Sequence, residues 1–227
     1  AALYEPKFQH DIQSARSARE TYELAQQRRE EVLASMQAQA VQLWPTVIGS
    51  EPMPADRFAV ALAVVLFHEG GVSDHAEDPG GFTVRGVTLW LLRALRLDVN
   101  NDGVIDKRDL IAMTGAHVAR LYRAVFWDEC GCGRLPPGLD LAVFDAAVNI
   151  GPPKVRRMLQ KAVGVKADGF IGPLTWRAIR DASPTELLDE FTARRAVYYA
   201  TRAKVPVFGL GWYRRVVDVY RTALADT

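Results

Sequence analysis

The chain has 227 residues, of which 49% are hydrophobic and 24% are charged, with 28 Lys and Arg against 27 Asp and Glu. This composition excludes wholesale disorder, and a net charge of +1 argues against a dedicated nucleic-acid-binding protein. The longest apolar run, residues 58–67, is too short to cross a bilayer, so no membrane span is expected. Residues 51–149 carry a net charge of −5 and residues 150–183 a net charge of +5. This distribution favours carboxylate chemistry beside a surface that tolerates an anionic polymer.

The first fifty residues have the composition of a helical extension followed by a linker. Residues 8–44 contain no Gly or Pro and are rich in Ala, Gln, Glu and Arg, which predicts one long helix. Its apolar stripe is weak, which favours a helix that packs poorly or binds a protein partner. Residues 45–54 begin and end with Pro and contain Gly49-Ser50, which is typical of a linker. We therefore assign residues 1–50 to an N-terminal extension.

The remainder of the chain predicts a mainly α fold with one small β element. A second helix is predicted from about Asp56 to Glu69, where Gly70-Gly71 supplies a stop. Residues 72–88 are rich in Gly, Asp, Pro and Thr, which predicts turns and a short β-hairpin. Further helices are predicted at about 88–97, 106–112, 115–127, 138–150, 152–163, 172–182, 184–203 and 212–225.

The two cysteines, Cys130 and Cys132, are separated by one residue. A disulfide across one residue would be strained, and the chain lacks the two Cys-x-x-Cys pairs of a structural zinc site. We predict reduced thiols in a chain that folds in a reducing compartment.

Glu69 lies where the charged form of a carboxyl group is disfavoured. It ends the predicted second helix, and the C-terminus of a helix carries partial negative charge. The apolar run before it predicts partial burial, which also disfavours the charged form. Both effects favour a protonated side chain, as a general acid requires near neutral pH. This hypothesis requires the carboxyl group to lie in a cleft; exposure to bulk solvent, or pairing with an arginine remote from any cleft, would contradict it.

A second carboxyl group follows in the polar turn after Glu69. Asp78 lies nine residues later and Thr83 another five. A glutamate at a helix end and an aspartate across a short hairpin can lie on opposite sides of a groove, as glycoside hydrolysis requires. Asp78 also suits a turn-capping role before Pro79, and Asp74 is a substitute candidate. A zinc-protease motif is not completed, because Val72 stands where the second histidine of H-E-x-x-H would be.

The stretch from His68 to Thr88 resembles the signature of glycoside hydrolase family 108, which comprises lysozyme-like N-acetylmuramidases, often phage endolysins. The matching residues are Glu69-Gly70-Gly71, Asp78-Pro79-Gly80-Gly81, Thr83 and Gly86-Val87-Thr88. The segments 122–128 and 144–152 resemble later family segments, and 164–175 resembles the start of the family's predicted peptidoglycan-binding region. The resemblance covers about residues 55–225 and implies a catalytic region at 51–150 and a helical peptidoglycan-binding region at 151–227, packed together.

By this resemblance, Glu69 is the catalytic acid and Asp78, with Thr83, positions water or stabilises the cationic sugar. The resemblance also places Asn149 in the substrate groove, where it would contact a sugar or instead cap a helix, and Asp145 one turn earlier has the same two interpretations. Trp127 could stack on a sugar or belong to the core. The implied substrate is bacterial peptidoglycan, cleaved at the β-1,4 bond between N-acetylmuramic acid and N-acetylglucosamine.

Two departures from the family pattern leave other functions open. Val72 replaces the usual aromatic residue, and Val84-Arg85 replaces a commoner Asn-aromatic pair. A lytic transglycosylase, which also uses a single glutamate, is one alternative. A non-catalytic adaptor that binds the cell wall is the other, with the N-terminal helix as an assembly element.

The first thirty residues lack the apolar stretch of a signal peptide. We therefore expect synthesis in the cytoplasm, release through a holin or a dedicated exporter, and action on the cell wall in the periplasm or outside the cell. A trimmed secretory precursor is the alternative.

A calcium site is predicted between the third and fourth helices. The oxygen-bearing side chains have EF-hand spacing, with Gly at the sixth position, and the loop is similar to those of EF-hands and dockerins. The twelfth position holds Asp in place of Glu, and the alternative is an Asx-rich turn in which Asp106 caps a helix. The expected role of Ca²⁺ is structural, in fixing one wall of the groove. The predicted ligands are Asp98, Asn100, Asp102, the carbonyl of Val104, Asp106 and Asp109.

Overall fold

The computed structural model describes residues 57–69 and 86–227, together with the backbone of two short strands at 72–73 and 83–84. The predicted N-terminal helix at 8–44 and the linker at 45–54 lie outside these residues. The mainly α fold predicted from the sequence is confirmed. The helices are α1 (Arg57–Glu69), α2 (Leu89–Leu95), α3 (Lys107–Ala112), α4 (Gly115–Tyr122), α5 (Leu139–Ile150), α6 (Pro152–Ala162), α7 (Pro173–Asp181), α8 (Pro184–Ala200) and α9 (Val205–Leu224).

The β element is a three-stranded antiparallel sheet, where the sequence predicted a single short hairpin. Strands β1 (Val72–Ser73), β2 (Thr83–Val84) and β3 (Val87–Thr88) lie in sequence order. Val84 is opposite Val72 on one side and Val87 on the other. Only residues 85 and 86 connect β2 to β3, so the turn that follows β2 is tight.

Helix α5 is the centre of the fold because almost every side chain along it is buried, including two aspartates. A helix that is apolar on all sides must be surrounded by other elements. Helices α1, α6, α8 and α9 and a 3-10 turn (Cys132–Arg134) all pack against it. The core is continuous from Phe58 on α1 to Ala223 on α9. Residues 151–227 therefore share one core with the residues before them.

Two helix boundaries differ from the sequence prediction by more than three residues. The helix predicted at 115–127 is α-helical only to Tyr122 and continues as a π-helical segment, Arg123–Asp128. The final helix begins at Val205, seven residues before the predicted start at residue 212. The first part of this helix contains Gly209 and Gly211, and Gly209 is buried on the packed face, so tertiary packing outweighs the low helix propensity of Gly.

Candidate active site

Glu69 is the last residue of α1 and forms an ion pair with the C-terminal helix. Its Oε1 lies 2.7 Å from Nη1 of Arg215 on α9. The Glu69 side chain is 20% exposed and that of Arg215 is 13% exposed. The pair is therefore largely shielded from water, although part of the Glu69 side chain remains exposed.

Arg215 is held in turn by a buried aspartate on the central helix. Its Nε and Nη2 donate to Asp145 Oδ1 at 2.9 and 2.7 Å. The other oxygen of Asp145 lies 2.6 Å from Nη2 of Arg195 on α8. Asp145 and Arg195 are both buried. The four side chains form a continuous network, Glu69–Arg215–Asp145–Arg195, whose formal charges cancel when both carboxyl groups are ionised.

The charges in this network act on one another because few water molecules can screen them. Burial by itself raises the pKa of Asp145, but the attraction of Arg195 and then Arg215 outweighs it, so the pKa is lowered. Burial would lower the pKa of Arg215, and the attraction of Asp145, with a smaller contribution from Glu69, raises it instead. Arg215 thus remains a cation.

The turn between β2 and β3 packs directly against Glu69. Gly86 has φ +77°, and a Cβ built on it would lie 2.3 Å from Tyr122 Oη and 2.9 Å from Glu69 Cγ. Burial first, and then the negative charge of Glu69, raise the pKa of the buried Tyr122 above its ordinary value. Glu69 is therefore enclosed by the β-turn, Tyr122 and Arg215, which together fix the position of its carboxyl group.

Arg215 corrects one part of the sequence-based reasoning about Glu69. The helix C-terminus and partial burial led us to expect surroundings that only disfavour its charge. The structure adds the guanidinium group of Arg215 at 2.7 Å, a contact that the local sequence did not reveal. This arginine is not remote from the β element, because Gly86 approaches the same carboxyl-bearing side chain.

The proposed second catalytic group lies in the part of the chain that the structure does not describe. Asp78 and its substitute Asp74 are outside the described residues. Thr83 is in the middle strand, opposite Ser73 and Thr88, with only its backbone described. The distance between the carboxyl groups, and with it inversion or retention, stays a prediction.

Two of the three predicted substrate-binding residues have different surroundings from those expected. Asp145 is fully buried in the network above and cannot reach a sugar, so its role is corrected to the support of Arg215. Trp127 is 3% exposed and packs edge-on against Phe58 and Phe144, which places it in the core. Asn149 is exposed at the end of α5, and its side chain donates to the carbonyl of Asp145 at 3.3 Å. A sugar contact by Asn149 stays a prediction.

Sequence reasoning missed Arg195 and Arg215, although a signal was present. Arg195 is four residues from both Phe191 and Tyr199, and Arg215 is four residues before Val219. All three of these neighbours are buried. Arginines at helical spacing with core residues point inward, and a buried arginine requires an acidic partner.

The carboxylates of the predicted calcium loop accept hydrogen bonds from backbone N–H groups of the same loop. Asp109 is buried, and its carboxylate accepts from the backbone N–H groups of Val99, Asn100 and Asp106 at 2.7, 3.3 and 2.8 Å. Asp98 accepts from the N–H of Gly103 at 2.7 Å. Asp106 caps α3, which was the alternative interpretation of the loop.

An arginine lies among the predicted calcium ligands. The guanidinium group of Arg108 is 2.9 Å from a carboxylate oxygen of Asp102 and 2.9 Å from one of Asp106. Within the described ranges, no three or more His, Cys, Asp or Glu side chains form a group that could hold a metal ion. The oxygen donors are of the type that Ca²⁺ prefers. In this structure, however, the carboxylate oxygens are bound by Arg108 and by backbone N–H groups. Helix α3, which follows the loop, packs against strand β2.

The cysteine prediction agrees with the structure. Cys130 and Cys132 are both free and buried. Burial raises the pKa of Cys130 to about 12 and that of Cys132 well above its ordinary value.

None of the helices that the structure describes combines the length and apolarity needed to span a membrane.

Comparisons with known proteins find two family models and a solved structure that are similar to this chain. The family model described as glycosyl hydrolase 108 matches residues 62–151, and the one described as a predicted peptidoglycan domain matches residues 154–217. Among solved structures, the chain is similar to SagA of Brucella abortus, with 36% sequence identity and a TM-score of 0.67. The match covers 74% of this chain and 94% of the SagA chain. No curated protein matches the sequence.

These matches span the helix that ends at Glu69, the central helix with Asp145 and the C-terminal helix with Arg215. The identity to SagA extends over nearly all of that chain, which is more than a shared fold requires. The chain therefore belongs to the glycosyl hydrolase 108 family and is a peptidoglycan hydrolase.

Proposed function

We propose that this protein is an N-acetylmuramidase in which Glu69 is the general acid. The bond cleaved is the β-1,4 bond between C1 of N-acetylmuramic acid and O4 of N-acetylglucosamine. Glu69 donates its proton to the leaving O4 as the C1–O4 bond breaks, and a water molecule adds its oxygen to C1. The water loses one proton to the second catalytic group or to solvent, so one water is consumed for each bond broken.

The position of Glu69 carries this proposal. It is a partly exposed carboxyl group at the end of a helix, beside the β-turn, in a chain of a glycoside hydrolase family. Fixed neighbours on three sides limit its rotation, as proton transfer in a defined geometry requires. We propose Asp78, with Thr83, as the group that manages water or the cationic sugar. A separation of about 6.5–9.5 Å between the carboxyl groups would predict inversion, and about 5–5.5 Å retention.

The proposal is tested by mass analysis of fragments released from purified sacculi. A muramidase gives products that have gained one water per bond. A lytic transglycosylase gives an anhydro-sugar and no added water, and an adaptor binds sacculi without releasing fragments. Either of the last two results overturns the proposal.

Glu69→Gln tests the role of the carboxyl group. We expect it to retain the fold and to release no fragments, because an amide cannot donate a proton as an acid does. Glu186→Gln, the same chemical change at an exposed position on α8, is the matched control and should keep full activity. Its melting temperature, compared with that of the Glu69 variant, separates lost catalysis from lost folding.

We also propose that the loop from Asp98 to Asp109 binds Ca²⁺ in a structural role. The type and spacing of its oxygen donors support this, and so does the contact between α3 and β2, which would transmit the order of the loop to the sheet beside Glu69. Binding requires Arg108 to leave Asp102 and Asp106, since a cation cannot share their oxygens with a guanidinium group.

Thermal melting tests the calcium proposal. Ca²⁺ should raise the melting temperature relative to excess chelator, because a ligand that binds only the folded state stabilises it. Arg108→Met should enlarge this shift and Asp98→Asn should reduce it, whereas Asp218→Asn, an exposed change on α9, should leave it unaltered. Equal melting temperatures with calcium and with chelator, in both the wild type and the Arg108 variant, would remove the calcium proposal.

A further inference from the structure

Glu69 lies on the first described helix, yet its ion-pair partner comes from the last. Arg215 is on α9, within the segment that matches a predicted peptidoglycan domain. Arg195, which shares Asp145 with it, lies in the same segment. We propose that Arg215 is a positioning residue for the catalytic acid, so that the C-terminal region completes the active site in addition to any role in binding the wall. This inference rests on the proposed role of Glu69.

The chemistry of arginine determines which oxygen of Glu69 carries the proton. A guanidinium group has only donors and no acceptor. Oε1, at 2.7 Å from Arg215 Nη1, must therefore act as the acceptor. In the protonated acid the hydrogen is consequently on Oε2, so Oε2 is the oxygen that would donate to a substrate. Arg215 thus orients the acid and selects its donating atom.

The same contact stabilises the product of proton transfer. With Glu69 protonated, the network of Glu69, Arg215, Asp145 and Arg195 carries one net positive charge in a poorly solvated site. Donation of the proton creates a carboxylate beside Arg215 and returns the network to neutrality. Because this interaction is stronger after transfer than before it, it lowers the barrier to proton donation.

Asp145 holds Arg215 ready for this role. Two hydrogen bonds to Nε and Nη2 fix the plane of the guanidinium group and leave Nη1 for Glu69. A lysine could supply the charge but could not make all three contacts. Among the residues that the structure describes, the other titratable groups beside Glu69 are Tyr122 of α4, which stays neutral, and His68, its half-buried neighbour on α1.

The experiment measures the rate of fragment release from purified sacculi as a function of pH. The variants are Arg215→Met, which removes the charge, Arg215→Gln, which keeps a donor without charge, and Arg215→Lys, which keeps the charge. Arg214→Met, an exposed change one residue away, is the matched control. Melting temperatures are measured for all of them, and Glu69→Gln is assayed in parallel.

We expect the Met variant to lose about 10- to 100-fold in rate, as a misplaced catalytic group does. The alkaline limb of its pH profile should move to higher pH, because loss of the cation favours the protonated form of Glu69. The alkaline limb of the Gln variant should move in the same direction. If the Met variant does not fold, the Gln variant is used for the test instead. The Lys variant should keep the wild-type limb with an intermediate rate, and the Arg214 variant should match the wild type.

Two results would overturn the inference while leaving the proposed function in place. One is a wild-type rate and pH profile in the uncharged Arg215 variants while Glu69→Gln is inactive. The other is an equal loss of rate in all three Arg215 variants with no movement of the alkaline limb, which is the behaviour of a merely structural residue. Activity in Glu69→Gln would instead refute the proposed function itself.

Discussion

Replacement of Gly86 by Ala should damage both the stability and the activity of this protein. Gly86 has φ +77°, a conformation in which a side chain is strained by about 1–2 kcal/mol. The new Cβ would lie 2.3 Å from Tyr122 Oη and 2.9 Å from Glu69 Cγ, so one or both side chains must shift. Overpacking of this kind costs about 1–3 kcal/mol. The free energy of unfolding should therefore fall by about 2–5 kcal/mol.

Thermal melting measures this loss, at roughly 2–4 °C for each kcal/mol in a protein of this size. Gly164→Ala is the matched control, because Gly164 has a similar φ of +70° but nothing within 4 Å of a built Cβ. It should show only the backbone strain. In a Tyr122→Phe background, which lacks the hydroxyl oxygen, Gly86→Ala should be less destabilising than in the wild type. Equal losses at Gly86 and Gly164, together with no effect of the Phe background, would refute the packing described around Glu69.

Two further predictions concern buried groups. Asp145→Asn should lower the free energy of unfolding by about 3–5 kcal/mol, because two buried guanidinium groups lose their shared anion. The pKa of Asp145 is lowered from 3.8 in the folded state, so its contribution to the free energy of unfolding is present above about pH 4 and is lost as the pH falls further. The stability of the wild type should therefore decrease in acid through this group, whereas that of the variant should not. A pH-independent difference between the two proteins would contradict this. At pH near 8, Cys130 and Cys132 should react with a thiol reagent only after unfolding, given their burial and the raised pKa of each; rapid labelling of the native protein would contradict their described positions.

Local sequence patterns were sufficient to predict most helices. The apolar run before Glu69 and the Gly and Pro residues between helices are local signals, and the corresponding helices are present. The start of α9 at Val205 was not predicted, and the helix continues through two glycines of low helix propensity while it packs against α5 and α8, a contact that local patterns do not show. The sequence was therefore sufficient to predict that a helix is present, but not to predict a helix boundary that depends on tertiary contacts.

The candidate site was only partly predictable for the same physical reason. Glu69 was found from its place at a helix end. The family resemblance suggested a groove role for Asp145, and Trp127 was a candidate for sugar stacking or for the core. Neither suggestion reveals that nearly every side chain of α5 is buried or that Trp127 packs against Phe58 and Phe144. Arg215 lies far from Glu69 in sequence, and no local rule joins the two. An inward-facing arginine was detectable from helical spacing, but its partner was not.

The most direct test of Glu69 as the catalytic acid compares fragment release from purified sacculi by the wild type and by folded Glu69→Gln under identical conditions. We expect fragments with one added water per broken bond from the wild type and none from the variant. Fragment release by the variant at a rate close to that of the wild type would contradict the assignment of Glu69 as the acid.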